Sequence, residues 1–529
     1  MNTLEPSEIA ELTFVPLSES SIWELHRRYY HEKGVEAWQS NDVPSYVTTN
    51  PFIAHSYAQV ALAFIRDMPL SDSDQPIYIV EMGAGSGRFA YHFLRTFFEE
   101  YGDEAQQQRP VCYVMTDISE ANLRSWAGHA QLQHFVEQGR LDFAAYNPTQ
   151  QDVLQLRSSG NLLSADTLEQ PLLCIANYLF DCIEQDVFEI IGGRLYECRV
   201  ALSDKEMAPA NDEPRAISNT QLLYELRPSC GDYYENPLWN QLLVEYSQAL
   251  TNAALPFPVA ALCCLERLRA LSKGRLLLIT ADRGQHSIDD LEGLPRPQLM
   301  PHGESFSLDV NYHALGWYVR HLGGVALQPS HLQRSISINA FLWGESDFAN
   351  TRAAYQQHMH TFGPDDFFVI KKGMEHSYDK LSLAEVRGFL RLSRWDSKIL
   401  QGCHQQLSRL LPQANKNERR DFSKVMDAVV EQYFFLKEPT PMNYIFGVLY
   451  AGLGDFSKAL QHYHHTEQCY GQWAALLLNI SLAYRANGDY PQSLKYVQTS
   501  LQLEPDLEPS KKLLAVIQKE MSEPSKIKN

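Results

Sequence analysis

Apolar positions recur at intervals of three and four through the first seventy residues, which predicts helices. In SSIWELHRRYYHEKGVEAW the apolar positions are Ile22, Trp23 and Leu25, then Tyr29, Tyr30 and Val35. The run NPFIAHSYAQVALAFIRDM over 50–68 repeats the pattern, with Asn50 suited to cap the helix and Pro51 to its first position. From residue 77 short runs rich in Ile, Val and Leu alternate with helical segments. IYIVEM, VCYVMTD, LDFAAY and PLLCIAN predict four strands, with helices over 87–100 and 119–127 between them. DVFEIIGGRLYECRVAL predicts a hairpin about Gly192-Gly193, and helices over 238–252 and 258–271 precede a fifth strand, RLLLIT. The stretch 203–237, rich in Pro, Asp, Asn and Ser, reads as a long loop or cover segment, and the alternation of strands and helices ends near 345. Strands alternating with helices imply an α/β fold with a parallel, doubly wound sheet.

From about 381 the pattern is helical throughout and repeats. GLGDFSKAL at 452–460 aligns with ANGDYPQSL at 486–494, so Gly454 and Gly488 lie 34 residues apart. Tyr450 falls on Tyr484, Leu460 on Leu494 and Gly447 on Ser481. A helix-turn-helix period of 34 with a Gly-Asp-aromatic turn resembles the tetratricopeptide repeat (TPR). Such units bury their faces only against neighbours, so helices in 383–436 and a tail helix over 509–521 are expected to cap the two clear copies.

Composition adds exclusions. The 529 residues are 44% hydrophobic and 21% charged, ordinary for a globular chain. The net charge of −19 argues against a nucleic-acid partner. The apolar runs are too short to span a bilayer, and the acidic N-terminus (Glu5, Glu8, Glu11) is unlike a signal or transit peptide. Nine cysteines without a CxxC pair suggest reduced thiols and a cytoplasmic protein.

The chemistry concentrates in VEMGAGSGRF. A predicted strand ends in Glu81, glycines follow at 83, 85 and 87, and a helix begins. Glycines are needed where a chain turns sharply and lets a ligand approach the backbone. The next strand ends in Asp117-Ile118, where a carboxylate can accept hydrogen bonds from two ribose hydroxyls. A dinucleotide fold prefers GxGxxG with its acid about 20 residues on. Here Arg88 follows Gly87, and Asp117 lies 30 residues beyond that glycine. E-x-G-x-G-x-G suits S-adenosylmethionine better, and a ligand-free glycine turn is the bland alternative. Asp142, read near the end of the third strand, could receive an adenine amino group beside Phe143. Asn177 and Asp181 follow the fourth strand, at the sheet edge where such folds bind ligands.

Residues 20–340 resemble the class I S-adenosylmethionine-dependent methyltransferases. They are particularly similar to the MidA-like family, which includes a mitochondrial complex I assembly factor that dimethylates a protein arginine. EMGAGSGRF, TDIS, ANYLFDCIEQDVFEIIGGRLYE, ADRG and HGESFSLDVNYHALGWYV carry the likeness. The resemblance implies a Rossmann-like methyltransferase sheet with S-adenosylmethionine as cofactor. It departs after Asn177, where the family usually carries Glu and this chain has Tyr178, and where Glu184 replaces a proline. The acceptor can therefore be arginine, another nitrogen or a different substrate, and a non-catalytic cofactor-binding scaffold stays open beside small-molecule N- or O-methylation.

On this reading Glu81, Gly83, Gly85, Gly87, Asp117, Ile118, Asp142, Phe143 and Asn177 hold the cofactor. Asn177 orients the acceptor, Asp181 serves as base or orienting carboxylate, and Tyr178, His302 and His313 border the substrate. No metal is expected. His462, His465 and Cys469 share a helical face, but packing within a repeat gives the same spacing. The expected organisation is a helical segment over 1–70, the methyltransferase domain over 71–350, a linker over 351–380 and TPR-like helices over 381–529. The repeats imply a protein partner or substrate, or a homodimer.

Overall fold

The structure is a computed structural model that describes residues 12–39, 43–69, 71–204, 217–331, 333 and 335–522. The acidic N-terminal stretch and residues 205–216 of the expected loop lie outside them. The chain divides into two compact units, Met1–Val369 and Ile370–Asn529.

In chain order the first unit contains helices α1 (Ile22–Lys33) and α2 (Pro51–Asp67), strand β1 (Ile77–Met82), helix α3 (Arg88–Tyr101), β2 (Val111–Asp117), α4 (Glu120–Ala127), β3 (Leu141–Ala145) and β4 (Leu172–Asn177). There follow β5 (Asp186–Ile191), β6 (Arg194–Asp204), β7 (Thr220–Pro228), α5 (Pro237–Ala249), β8 (Asn252–Phe257), α6 (Val259–Leu271), β9 (Leu276–Asp282), α7 (Tyr312–His321), β10 (Val325–Leu327) and β11 (Ser337–Trp343).

Seven of these strands form one sheet in the order β10-β11-β9-β4-β1-β2-β3. The five strands from β9 to β3 are parallel, and β11 runs antiparallel to both β9 and β10. Strands β1, β2 and β9 are buried at every position, the reason they read as continuous apolar runs. The strand order reverses between β1 and β4, which opens a crevice beyond their carboxyl ends. Helix α2 is apolar around most of its circumference and correspondingly buried on nearly all sides. Asn50 caps it by accepting the Ile53 N–H at 3.0 Å.

A second, antiparallel sheet is built on the β5–β6 hairpin. Strand β8 joins its β5 edge, and β7 pairs with β6 along its whole length, from Thr220 opposite Asp204 to Pro228 opposite Tyr196. The reading of 203–237 as loop is thus corrected over 220–228. The pairing with β6 supplies the ladder that fixes this segment as a strand, and only the tertiary fold brings it there. Trp23 of α1 and Phe306 pack on this sheet with Val187 and Val200, so α1 is anchored next to the crevice.

Residues 351–380 are largely helical, with Ala349–Tyr355, a π-helical turn Gln356–Thr361 and Pro364–Glu375. The first half of the last helix belongs to the first unit. Phe367 stacks on Phe52 at 4.6 Å, and Asp365 accepts the backbone N–H of Ser335 at 2.7 Å.

The second unit is all helical: α8 (Leu383–Leu392), α9 (Ser397–Leu410), α10 (Lys416–Gln432), α11 (Met442–Leu453), α12 (Phe456–Tyr470), α13 (Ala474–Ala486), α14 (Tyr490–Leu503) and α15 (Glu508–Ser522). The two copies of the Gly-Asp-aromatic turn fold alike. Gly454 and Gly488 adopt φ of 87° and 81°, and Asp455 and Asp489 cap α12 and α14 through the N–H three residues on. Small residues set the helix spacing: a Cβ at Gly447 would collide with the Tyr463 ring, and Ser481 donates to the Ser493 carbonyl at 2.7 Å.

Candidate functional site

The crevice at the strand-order reversal holds a cavity of about 370 Å³, within the usual range for a small-molecule site. Its floor is the turn between β1 and α3. Gly83, Gly85 and Gly87 all have positive φ, 71°, 52° and 76°. Gly83 and Gly85 border the cavity. Gly87 lies just outside its lining. A Cβ there would stand 2.9 Å from Met115 Cε, so this glycine serves the packing of α3 on β2 and Trp126. At Gly85 a Cβ would come within 2.8 Å of the Trp38 ring, so Trp38 lies directly over the turn.

Two buried carboxylates stand beside the turn. Glu81, 4% exposed, accepts the Tyr113 hydroxyl at 2.9 Å. Burial pushes its carboxyl up to about 8, with the charge of Asp117 adding to the rise and the Tyr113 hydrogen bond opposing it. Asp117 accepts the Ser119 N–H at 2.9 Å, the Asn122 side-chain amide at 2.9 Å and the Gly85 N–H at 3.2 Å. Burial raises its pKa while these donors pull it back. Asp117 therefore shapes the glycine turn as well as facing the cavity, to which Ile118 also contributes.

The opposite wall follows β4. Asn177 accepts the buried Tyr57 hydroxyl at 2.8 Å, and its side-chain NH₂ has no partner. Tyr178 takes φ of 50°, rare for a non-glycine residue, and its N–H donates to the Ala281 carbonyl at 3.0 Å. Asp181 is buried, and burial raises it to about 6. Glu184 borders the cavity and pairs with Arg27 of α1. His302 also borders it, with Nε2 3.0 Å from the Ser307 hydroxyl. Burial, then Arg283, lowers the pKa of this imidazole.

Three expected residues lie elsewhere. Asp142 is the second residue of β3 rather than near its end. Its carboxylate accepts the N–H groups of Phe143, Ser158 and Ser159, which ties down the chain far from the carboxyl edge. Neither Asp142 nor Phe143 borders the cavity; Tyr146 and Asn147, just past the strand, do. His313 faces Tyr246, with Nδ1 2.9 Å from its hydroxyl, and burial lowers it to about 4. Conversely Arg27, Tyr30, Trp38 and Arg283 border the cavity without having been singled out. Of these only Arg283 carried a signal, inside the ADRG run. Among the described residues no cluster of His, Cys, Asp and Glu could hold a metal ion, and no helix is long and apolar enough to cross a membrane.

Residues 59–279 match a family described as "Putative S-adenosyl-L-methionine-dependent methyltransferase". No curated protein matches the chain. Among solved structures, an uncharacterized superfamily protein from Burkholderia thailandensis is similar at 13% identity and a TM-score of 0.40, covering 66% of this chain and 92% of its own. A member of that superfamily from the same organism, described as a "likely methyl transferase" and bound to S-adenosyl-homocysteine, gives 12% identity and a TM-score of 0.40 over the same shares. The matched segment runs from within α2 into β9 and contains the glycine turn, Asp117, Asn177 and Asp181. Its cofactor is S-adenosylmethionine.

Proposed function

We propose that this chain is an S-adenosylmethionine-dependent methyltransferase that modifies a nitrogen of a protein side chain, arginine or another, which the TPR-like helices of 381–529 recruit. The observation that carries the reading is the convergence of two walls on one cavity. The β1 turn with Glu81, Gly83, Gly85, Asp117 and Ile118 suits a nucleoside carrying positive charge, and Asn177 and Asp181 stand across from it. S-adenosylmethionine supplies an electrophilic methyl group on a sulfonium. Glu81 and Asp117 offer acceptors for ammonium and ribose hydroxyl donors. Asn177, held by Tyr57, offers its amide to the acceptor, and Asp181 is placed to take a proton. The buried wall around them excludes water from the transfer. A soluble, cytoplasmic enzyme is part of the proposal.

A second reading has one observation in its favour. The carboxylate expected after Asn177 is replaced by Tyr178, and Glu184, which stands where the family has proline, is already paired with Arg27. A cofactor-binding scaffold or a different acceptor would fit that arrangement. Calorimetry with S-adenosylhomocysteine tests the cofactor half. Labelled-methyl transfer into lysate from cells lacking the protein tests the other. Wild type should label an acceptor, and Asn177→Ala should lose about 10²–10³-fold in turnover. Tight binding without any transfer would favour the scaffold.

A further inference from the structure

Asp181 and Asp282 are 101 residues apart in sequence and meet at the carboxyl ends of β4 and β9. Asp181 borders the cavity, whereas Asp282, the last residue of β9, stands behind it. They are 5% and 0% exposed. Asp282 Oδ2 accepts the Tyr312 hydroxyl at 2.7 Å and the Thr280 hydroxyl at 3.4 Å. Oδ1 of each aspartate is buried without a donor, and the two carboxyl groups, carried by β9 and by the turn after its neighbour β4, are close enough for each to shift the pKa of the other. Two carboxylates cannot donate to one another. A single proton between them turns both unsatisfied oxygens into one charge-assisted O–H···O⁻ bond.

The surroundings enforce this. Tyr30 from α1, Tyr57 from α2, Tyr178 and Cys182 from the turn after β4, and Tyr312 from α7 face the pair. These are neutral phenols and a thiol. Asp309 adds a further like charge, and Arg283 lies beside Asp309, 3.7 Å away. Nothing among these groups compensates two buried negative charges at once.

We propose that Asp181 and Asp282 form a proton-sharing pair that receives the proton leaving the acceptor nitrogen, with Asp181 the catalytic group and Asp282 its positioning residue. This rests on the methyltransferase reading. At rest the pair carries one proton and one negative charge. The nitrogen, cationic once methylated, gives up its N–H proton to the pair and keeps the electron pair, and the two acids become neutral together. Deeper in the wall, Asp282 touches no substrate, but its proton sets the affinity of Asp181 for the next one.

The full-length chain, without cofactor or acceptor, allows the test by infrared titration of the carboxyl bands, which separates carboxyl groups from imidazoles. Wild type should take up a carboxyl proton with a midpoint near 6. Asp181→Asn should abolish that step. Asp282→Leu keeps the burial and removes the proton that Asp282 donates to Asp181, so it should move the midpoint above 6. If Asp282→Leu does not fold, Asp282→Ala takes its place. A step near 6 that persists unchanged in either folded variant overturns the pair. Calorimetry with S-adenosylhomocysteine on the same samples reports separately on the cofactor site. Loss of the pair with binding intact leaves the methyltransferase reading standing, while a titrating pair in a chain that binds no cofactor overturns its role in transfer.

Discussion

Glu81 is the group whose charge cofactor binding should change. Burial holds it near a pKa of 8, so at neutral pH the free protein keeps it mostly protonated. It borders the cavity, and a ligand bearing an ammonium group favours the carboxylate. Binding of S-adenosylhomocysteine should therefore release a proton. Its affinity should climb by up to tenfold per pH unit below about 8 and level off above, which makes about 2.7 kcal/mol between roughly pH 6 and 8. Stability of the free protein should move the opposite way. A folded pKa raised above the unfolded value stabilises fully below about 4.5, and that contribution is lost as pH rises through 8. The full displacement corresponds to about 4–5 kcal/mol. Glu81→Gln mimics the neutral form, so it should flatten both curves. Titration calorimetry at several pH values, in buffers of different ionisation enthalpy, counts the released protons, and urea denaturation follows stability. A wild type whose affinity is independent of pH with no proton release would refute the reasoning, as would a pH dependence that survives in Glu81→Gln.

Gly85→Ala combines a left-handed backbone with a Cβ 2.8 Å from Trp38, so it should cost about 1–2 kcal/mol and remove the cofactor-induced rise in Tm seen by differential scanning fluorimetry. Asp117→Ala orphans the donors of Gly85, Ser119 and Asn122, with an expected loss of about 1–3 kcal/mol in urea denaturation and a weaker cofactor by calorimetry. His26 is buried with its pKa lowered to about 3, chiefly by burial. The unfolded chain thus takes up a proton first as pH falls below 6.5, and stability should drop by about 1.4 kcal/mol per pH unit there, a slope that His26→Leu should reduce. A chain ending at 369 should fold alone by circular dichroism, whereas one ending at 355 loses Phe367 from its stack on Phe52 and should melt lower or aggregate.

The local pattern reached the elements whose surroundings are uniform. Strands β1, β2, β4 and β9 are flanked by apolar neighbours, so their sequences show it. The glycine turn was legible because positive φ values restrict residue choice at each position separately. The 34-residue repeat was legible because both copies solve the same packing problem, at Gly454 and again at Gly488.

What lies across the fold was not legible. The strand-forming residues of β7 follow a polar stretch, and β6 is what makes them a strand. Asp142 lies near the start of β3, whereas the cavity-lining Tyr146 follows its carboxyl end, and only the direction of the strand separates the two. Gly87 fits the cofactor motif by spacing, yet it is Met115 and Trp126 that leave no room for a Cβ there. Arg27 and Tyr30 reach the cavity because Trp23 and its neighbours fasten α1 to the antiparallel sheet. By itself the sequence determined that a strand, a glycine turn and a helix would follow one another, since each depends on residues a few positions apart. The tertiary structure decided which acids face which. The meeting of Asp181 with Asp282 depends on β4 and β9 being neighbours in the sheet, a pairing set by the burial of the whole core and by no residue near either aspartate.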